Sequence, residues 1–153
     1  MKRAFSLVEI IITILIIGLI GTFAITKLFN SIDKSNELKI KSEVALVNEA
    51  INRVYSSQIL LANSNFFLER LDDASINSAN ESLFIGYEEY ILLDTVILSS
   101  SLDKKELGKW IKVSNTNYRV YLTKEKVLDF VFDTDEALFS CDKKDDACKE
   151  FML

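Results

Sequence analysis

The N-terminal stretch constrains this chain more than any other part of its sequence. An apolar run extends from Phe5 to Ile25, about 21 residues, which is enough for one α-helix to cross the hydrocarbon core of a membrane. Two cations, Lys2 and Arg3, precede the run, and one carboxylate, Glu9, lies inside it. A carboxylate within a membrane span costs free energy unless it is neutralised, so a functional role is predicted for Glu9.

Three interpretations of this stretch compete. A cleavable secretory signal has a shorter apolar core and a small-x-small cleavage site, for which Thr22-Phe23-Ala24 is a poor candidate. A plain uncleaved anchor explains the length of the run but gives no reason for Glu9. The third interpretation is a short basic leader that ends at Ala4, with Phe5 as the first residue of the mature chain.

Residues 1–9 resemble the class III signal of type IV prepilins and pseudopilins, which has a basic leader, a small residue, Phe and then a nearby Glu. The resemblance is close over about the first 25 residues and covers the rest only in general plan. It implies that a prepilin peptidase cuts between Ala4 and Phe5 and that the new amine of Phe5 is methylated. It also implies that Glu9 pairs with the N-terminal amine of a neighbouring subunit during assembly.

The resemblance implies a structural subunit, a pilin or minor pilin, of a type IV pilus-like filament. The alternative is a pseudopilin of a type II secretion or DNA-uptake (competence) system. The expected partners are the prepilin peptidase, other pilin or pseudopilin subunits, the inner-membrane assembly platform and inner-membrane lipid. Because Lys2 and Arg3 favour the cytoplasmic side, we expect a single-pass inner-membrane protein with a periplasmic C-terminal domain, later part of a periplasmic or extracellular filament.

Composition argues against catalysis and against nucleic-acid binding. The chain has no histidine, which removes the commonest general base and metal ligand, and no enzyme activity or cofactor is expected. A net charge of −5 does not suit binding to phosphate backbones. A DNA-binding pilin is the rival hypothesis, with Lys143 and Lys144 as its cations. The adjacent acids Asp72-Asp73 and Glu88-Glu89 are interpreted as solvated surface.

Beyond the apolar run, the pattern becomes that of an amphipathic helix. Apolar residues recur at spacings of three and four, which predicts one helix face resting on a core. These residues are Ile40, Val44, Val47, Ile51 and Val54. The charged residues that fall mainly on the other sides are Lys39, Lys41, Glu43, Glu49 and Arg53. The helix is predicted to end near Ala62, before Asn63-Ser64-Asn65.

Residues 66–107 carry a weaker signal. Phe66–Leu71 is compatible with one or two helical turns, and Ser75–Asn80 is a loop by composition. Periodicity does not separate helix from strand between Leu83 and Leu98, and we favour a short helix near Tyr87–Leu93. The aromatic residues of this segment are expected to fill a core.

From Trp110 onwards the period is two, which indicates β-strands. The predicted strands are 110–113, 118–123, 127–133 and 137–141, joined by short turns into an antiparallel meander. One face carries Tyr118, Val120 and Leu122, and Leu128, Phe130 and Phe132 share one face of the next strand. These faces are predicted to cover the apolar side of the helix.

Cys141 and Cys148 are expected to form a disulfide, because thiols beyond the membrane are oxidised. The pair also resembles the C-terminal disulfide region of type IV pilins. Several acids lie nearby: Asp133, Asp135, Glu136, Asp142, Asp145 and Asp146. Their spacing is not that of an EF-hand, so no metal site is assigned; a calcium loop like that of some pseudopilins is the alternative to a solvated acidic face.

The expected fold class is α+β, specifically the type IV pilin fold. Its long N-terminal helix, with a transmembrane half and an amphipathic half, packs on an antiparallel β-sheet. The predicted divisions are 1–4 (leader), 5–25 (transmembrane and filament-core helix), 26–62 (amphipathic half), 63–109 (helix-to-sheet connection) and 110–153 (sheet and disulfide region).

Overall fold

The protein is described by a computed structural model that covers residues 6–63, 66–142 and 144–152. It is an α+β protein with an N-terminal apolar helix and antiparallel sheets, so the predicted class is confirmed. Helix α1 spans Leu7–Leu60. The chain divides into two compact units, Met1–Ser35 and Asn36–Leu153, and the division falls within α1.

The part of α1 in the second unit carries the predicted apolar stripe. Ile40, Val47, Ile51 and Val54 are buried in the core, and Val44 packs against it. The prediction for Glu43 was wrong, because its carboxylate accepts a hydrogen bond from the indole Nε1 of Trp110 at 2.8 Å. The stripe is therefore confirmed, with one acid turned towards the sheet.

The C-terminal end of α1 lies close to the predicted stop. Ala62 has φ 58°, in the left-handed region, and the Asn63 amide donates to the carbonyl of Gln58 at 3.0 Å. A left-handed residue followed by such a bond satisfies carbonyls that the ending helix leaves free. Ser64 and Asn65 of the predicted stop lie outside the described residues.

Two small antiparallel sheets occupy the segment after α1. Strand β1 (Ser82–Leu83) pairs with β4 (Ile97–Leu98), and β2 (Gly86–Tyr87) pairs with β3 (Tyr90–Ile91). The helix predicted near Tyr87–Leu93 was therefore wrong. The structure describes all of Phe66–Leu71, and the helical turns considered there are absent, whereas Ser75–Asn80 is a loop as predicted.

Gly86 and Glu88 explain why this segment turns back on itself. Gly86 has φ 94°, and a Cβ at this position would collide with the carbonyl of Tyr90. Glu88 has φ 55° in the two-residue turn between β2 and β3. Backbone in the left-handed region favours a tight hairpin over a continuing right-handed helix.

The main sheet is the predicted meander. Its strands are β5 (Trp110–Lys112), β6 (Asn117–Tyr121), β7 (Val127–Asp133) and β8 (Leu138–Cys141), antiparallel in the order β5-β6-β7-β8. Helix α2 (Asp146–Met152) follows β8. Tyr118 lies opposite Phe130, and Val120 opposite Leu128.

The sheet and the α1 stripe bury a common aromatic core. The predicted inward side chains, Tyr118, Val120, Leu122, Leu128, Phe130 and Phe132, are all buried. Phe84 joins them, with its ring 5.5 Å from Trp110 and 4.8 Å from Tyr118 between centroids. The interpretation of this aromatic residue as core is confirmed.

Candidate functional site

The apolar segment Leu7–Ile25 is the most unusual surface of the protein. This segment has a mean hydropathy of 2.6, and none of it is buried. By length and composition it is able to cross a membrane, either as an anchor or as a signal sequence. Leu7 and Phe23, for example, are 73% and 74% exposed. So large an apolar surface requires lipid or other protein surfaces around it.

Within Leu7–Ile25 the polar hydroxyl groups are satisfied by the helix itself. Thr13 Oγ1 donates to the carbonyl of Glu9 at 2.6 Å, and Thr22 Oγ1 donates to the carbonyl of Gly18 at 2.9 Å. Hydrogen bonds to the preceding turn are the usual way in which a membrane helix accommodates such groups. The carboxylate of Glu9 remains as the charged group of this segment.

Glu9 lies in the first turn of α1. Its amide donates to the carbonyl of Ser6 at 3.0 Å, and its side chain is exposed. A carboxylate in the first turn of a helix interacts favourably with the helix dipole, although this effect is small beside the cost of placing a charge in lipid. The predicted cleavage site, Ala4 and Phe5, and the methylation site Phe5 lie outside the described residues.

A second polar site is buried in the core. It links the segment that follows α1 to the main sheet. Lys112 Nζ lies 2.7 Å from Asp72 Oδ1, and these side chains are 2% and 0% exposed. The same ammonium donates to the carbonyl of Asp72 at 3.0 Å. The hydroxyl of Tyr118 donates to Asp72 Oδ2 at 2.9 Å. Buried charges are stable only when paired and hydrogen-bonded in this way.

Backbone amides complete the shell around Asp72. Ala74 N donates to Oδ1 at 3.1 Å and Phe84 N donates to Oδ2 at 3.0 Å. Burial and the adjacent Asp72 carboxylate raise the pKa of Tyr118 far above its usual value, so its hydroxyl stays protonated and donates. Both carboxylate oxygens are thus engaged by the chain itself, which suits a structural role.

Sequence reasoning missed this site because it interpreted Asp72-Asp73 as solvated surface. That was wrong for Asp72, whereas Asp73 is 58% exposed and pairs with Arg70 at 2.8 Å. A signal was nevertheless present in β5. Lys112 lies two residues after Trp110, so both side chains point to the same face of the strand, and both are buried. A lysine on a buried strand face predicts a carboxylate partner.

The disulfide between Cys141 and Cys148 is present, with a Cα–Cα distance of 5.9 Å. It joins β8 to α2, where Phe151 packs edge-on against Phe130 with centroids 5.8 Å apart. Both cysteines are buried. The bond therefore holds α2 against the buried core.

The acidic residues around the disulfide make local turn contacts. Asp133 Oδ1 accepts from the amides of Asp135 and Glu136 at 2.9 and 3.0 Å. In residues 6–63, 66–142 and 144–152, no group of three or more Asp, Glu, Cys or His side chains is placed to hold a metal ion. Of the cations considered for DNA, Lys144 is exposed and Lys143 lies outside the described residues.

No protein-family model matches the chain, and no curated protein or solved structure matches it.

Proposed function

We propose that this chain is a structural subunit of a type IV pilus-like filament, a pilin or minor pilin, with the pilin fold. The observation that carries the proposal is the exposed apolar segment Leu7–Ile25 with Glu9 in its first turn. The basic leader with Ala4 and Phe5 supports it from the sequence. A pseudopilin of a type II secretion or DNA-uptake system is the alternative within the same class.

In this proposal the anchor has two successive environments. Before assembly, Leu7–Ile25 spans the inner membrane, and the domain after it lies in the periplasm. Prepilin peptidase removes residues 1–4, and the amine of Phe5 becomes the methylated N-terminus. The assembly platform then transfers the helix from lipid into a filament core made of the same helices. Apolar side chains are covered in both environments, so the transfer costs little hydrophobic free energy.

In this proposal, Glu9 makes the transfer of the helix from lipid to the filament core favourable. In lipid its carboxylate lacks a cation, whereas in the filament the cationic amine of Phe5 from a neighbouring subunit supplies one. An ion pair in a water-free environment is strongly favoured over an unpaired charge in that environment. Removal of residues 1–4 places the amine next to the apolar segment, which is why processing precedes assembly in this proposal. The chain itself performs no reaction in it.

The proposal predicts that Glu9→Ala separates membrane insertion from assembly. The variant keeps its apolar segment, so we expect normal amounts in the membrane fraction, but filament yield should fall at least about tenfold because the ion pair is lost. The measurement is the amount of the chain in sheared filaments and in membranes from cells that contain the assembly machinery. Glu37→Ala, a change of the same kind elsewhere on α1, is the matched control and should assemble normally.

Glu9→Ala subunits that enter filaments as well as the wild type would contradict the pairing with Phe5. The cleavage step has its own readout, the mass of the mature chain. An N-terminus at Phe5 with one added methyl group is expected, and an intact Met1 in assembled filaments would contradict the proposed processing.

A further inference from the structure

We propose that the part of α1 just beyond the apolar segment binds the headgroup of a phosphoethanolamine lipid in the periplasmic leaflet of the inner membrane. The headgroup site consists of Lys27, Ser31, Asp33 and Lys34, which line one depression of about 470 Å³. The two ammonium groups and the hydroxyl hold the lipid phosphate, and the carboxylate holds the lipid ammonium. This inference rests on the membrane-spanning stage of the proposed function and assigns a lipid class to that stage.

The headgroup site lies at the depth of the lipid headgroups. Leu7–Ile25 has 19 residues, about 29 Å at 1.5 Å per residue, which matches a hydrocarbon core of about 30 Å. Lys27 and Ser31 therefore follow the hydrocarbon boundary by about 3 and 9 Å. Lys34 follows it by about 14 Å, but helix side chains lean towards the N-terminus, which brings its ammonium back towards the membrane. The long side chain of Lys27 reaches outward from the boundary to the same layer.

Three residues of the headgroup site share one face of α1. Lys27, Ser31 and Lys34 follow one another at spacings of four and three, and residues at these spacings are neighbours on a helix surface. Two ammonium groups therefore flank one hydroxyl group. Asp33 lies on an adjacent side of the helix and lines the same depression. Cations and a hydroxyl in this arrangement supply the charge-assisted hydrogen bonds that a phosphate accepts.

The charges of the headgroup site are available for a ligand. The next acid along α1, Glu37, lies 3.4 Å from Lys41 in an ion pair. In the described part of the chain, by contrast, no side chain forms an ion pair with Lys27, Asp33 or Lys34. Two cations and one anion thus stand unpaired directly after the apolar segment.

The mixture of charges selects the headgroup. A phosphatidylglycerol headgroup satisfies the two lysines but leaves the carboxylate of Asp33 beside a further anion. A phosphocholine headgroup brings a quaternary ammonium, which has no hydrogen to donate to that carboxylate. The primary ammonium of phosphoethanolamine donates to Asp33 while its phosphate accepts from Lys27 and Lys34. Phosphoethanolamine is therefore the headgroup that satisfies all three charges.

Continuity with the apolar segment identifies a lipid as the source of this headgroup. Leu28 and Ile32 lie at the level of the headgroup site and are 61% and 44% exposed. The acyl chains of a bound lipid remove such side chains from water, whereas a soluble phosphoethanolamine compound does not.

The lipid selectivity of the full-length chain tests the headgroup site. The chain is reconstituted in phosphatidylcholine vesicles with spin-labelled phosphatidylethanolamine, phosphatidylglycerol or phosphatidylcholine, and electron spin resonance measures how strongly each lipid associates with the protein. We expect phosphatidylethanolamine to associate at least about threefold more strongly than the other two. Lys27→Gln with Lys34→Gln should lower this ratio to about one, because the phosphate loses both cations.

Three further variants separate the roles of the charges. Asp33→Asn removes the ammonium contact alone, so phosphatidylethanolamine should lose its advantage over phosphatidylglycerol. Lys27→Arg with Lys34→Arg keeps both cations and should keep the preference. Lys124→Gln with Lys144→Gln makes the same charge change at exposed lysines of the second unit and should leave the ratio unchanged.

Each contrary result overturns a stated part of the inference. Equal association of the three lipids with the wild type, an unchanged ratio in Lys27→Gln with Lys34→Gln, or an equal loss in the control pair would overturn the headgroup site. Stronger association of phosphatidylglycerol than of phosphatidylethanolamine with the wild type would overturn the choice of headgroup.

The vesicle experiment is independent of filament assembly, because the vesicles contain no assembly machinery. A wild-type chain that prefers phosphatidylethanolamine but forms no filaments in cells would overturn the proposed function and leave the headgroup site standing. Filaments from a chain with no lipid preference would overturn the headgroup site alone.

Discussion

Lys112 shows how one side chain ties together distant parts of the fold. Its ammonium and the carboxylate of Asp72 are both inaccessible to water, and the hydroxyl of Tyr118 completes their network. Asp72 lies in the irregular segment after α1, whereas Lys112 and Tyr118 lie in adjacent strands of the main sheet. The network therefore fixes the path of a segment that has little regular structure of its own.

At this scale we predict that Asp72→Asn destabilises the protein by about 3–5 kcal/mol, because Lys112 is left buried without a countercharge. The measurement is urea unfolding of the full-length chain in detergent, followed by near-ultraviolet circular dichroism. Asp73→Asn is a matched control one residue away. Its exposed ion pair with Arg70 should be worth at most about 1 kcal/mol. Equal losses in the two variants would contradict a structural role for the buried pair.

At the scale of elements, both edges of the main sheet are engaged by other parts of the chain. Asn48 of α1 forms two hydrogen bonds with Phe139 of β8, donating to its carbonyl and accepting from its amide, each at 2.8 Å. On the other edge, the amides of Asn77 and Ser100 donate to the carbonyls of Lys112 and Trp110. Engaged edges resist the addition of strands from other chains.

The side chain of Asn48 thus makes the two hydrogen bonds to the backbone of Phe139 that a neighbouring strand would otherwise make. Asn48→Ala should leave a backbone amide and a carbonyl of β8 without these partners, at a cost of about 1–3 kcal/mol. Asn52→Ala, one turn further along α1 at an exposed position, carries the same change in helix propensity and is the control. Comparing the two melting temperatures isolates the edge contact. A melting temperature for Asn48→Ala at or above that of Asn52→Ala would show that the bonds contribute nothing.

At the scale of the whole molecule, the two units differ in what surrounds their apolar side chains. The unit Asn36–Leu153 encloses a core, whereas the part of α1 in the first unit presents its apolar side chains outward over Leu7–Ile25. The apolar side chains of the first unit therefore need a membrane or an assembly to remove them from water, whereas the second unit is stabilised by its own buried core. The disulfide belongs to the second unit, where it joins the end of the sheet to α2.

Removal of the disulfide by Cys141→Ser with Cys148→Ser should destabilise this unit by about 2–3 kcal/mol, because the closed loop is short. A lower melting temperature of the full-length chain is the expected result. The wild type treated with a reductant should fall to the same value, since it loses the same bond. A reductant that lowers the melting temperature of the serine variant as well would point to an effect unrelated to Cys141 and Cys148.

The sequence by itself determined the features that depend on spacing. The apolar run with Glu9 follows from length and composition. The stripe from Ile40 to Val54 follows from a period of 3.6 and the four-strand meander from a period of 2, and both periods are visible in a short local stretch of sequence. The cysteine pair followed from the compartment that the apolar run predicts.

Only the tertiary structure decided which distant groups meet. Residues 86–91 are apolar enough for either helix or strand, and the left-handed backbone at Gly86 and Glu88 selected the hairpin. The pairings of Asp72 with Lys112, of Asn48 with Phe139 and of Glu43 with Trp110 join residues at least 40 positions apart. Such contacts depend on the path of the whole chain, because no local period specifies which buried polar group will find its partner.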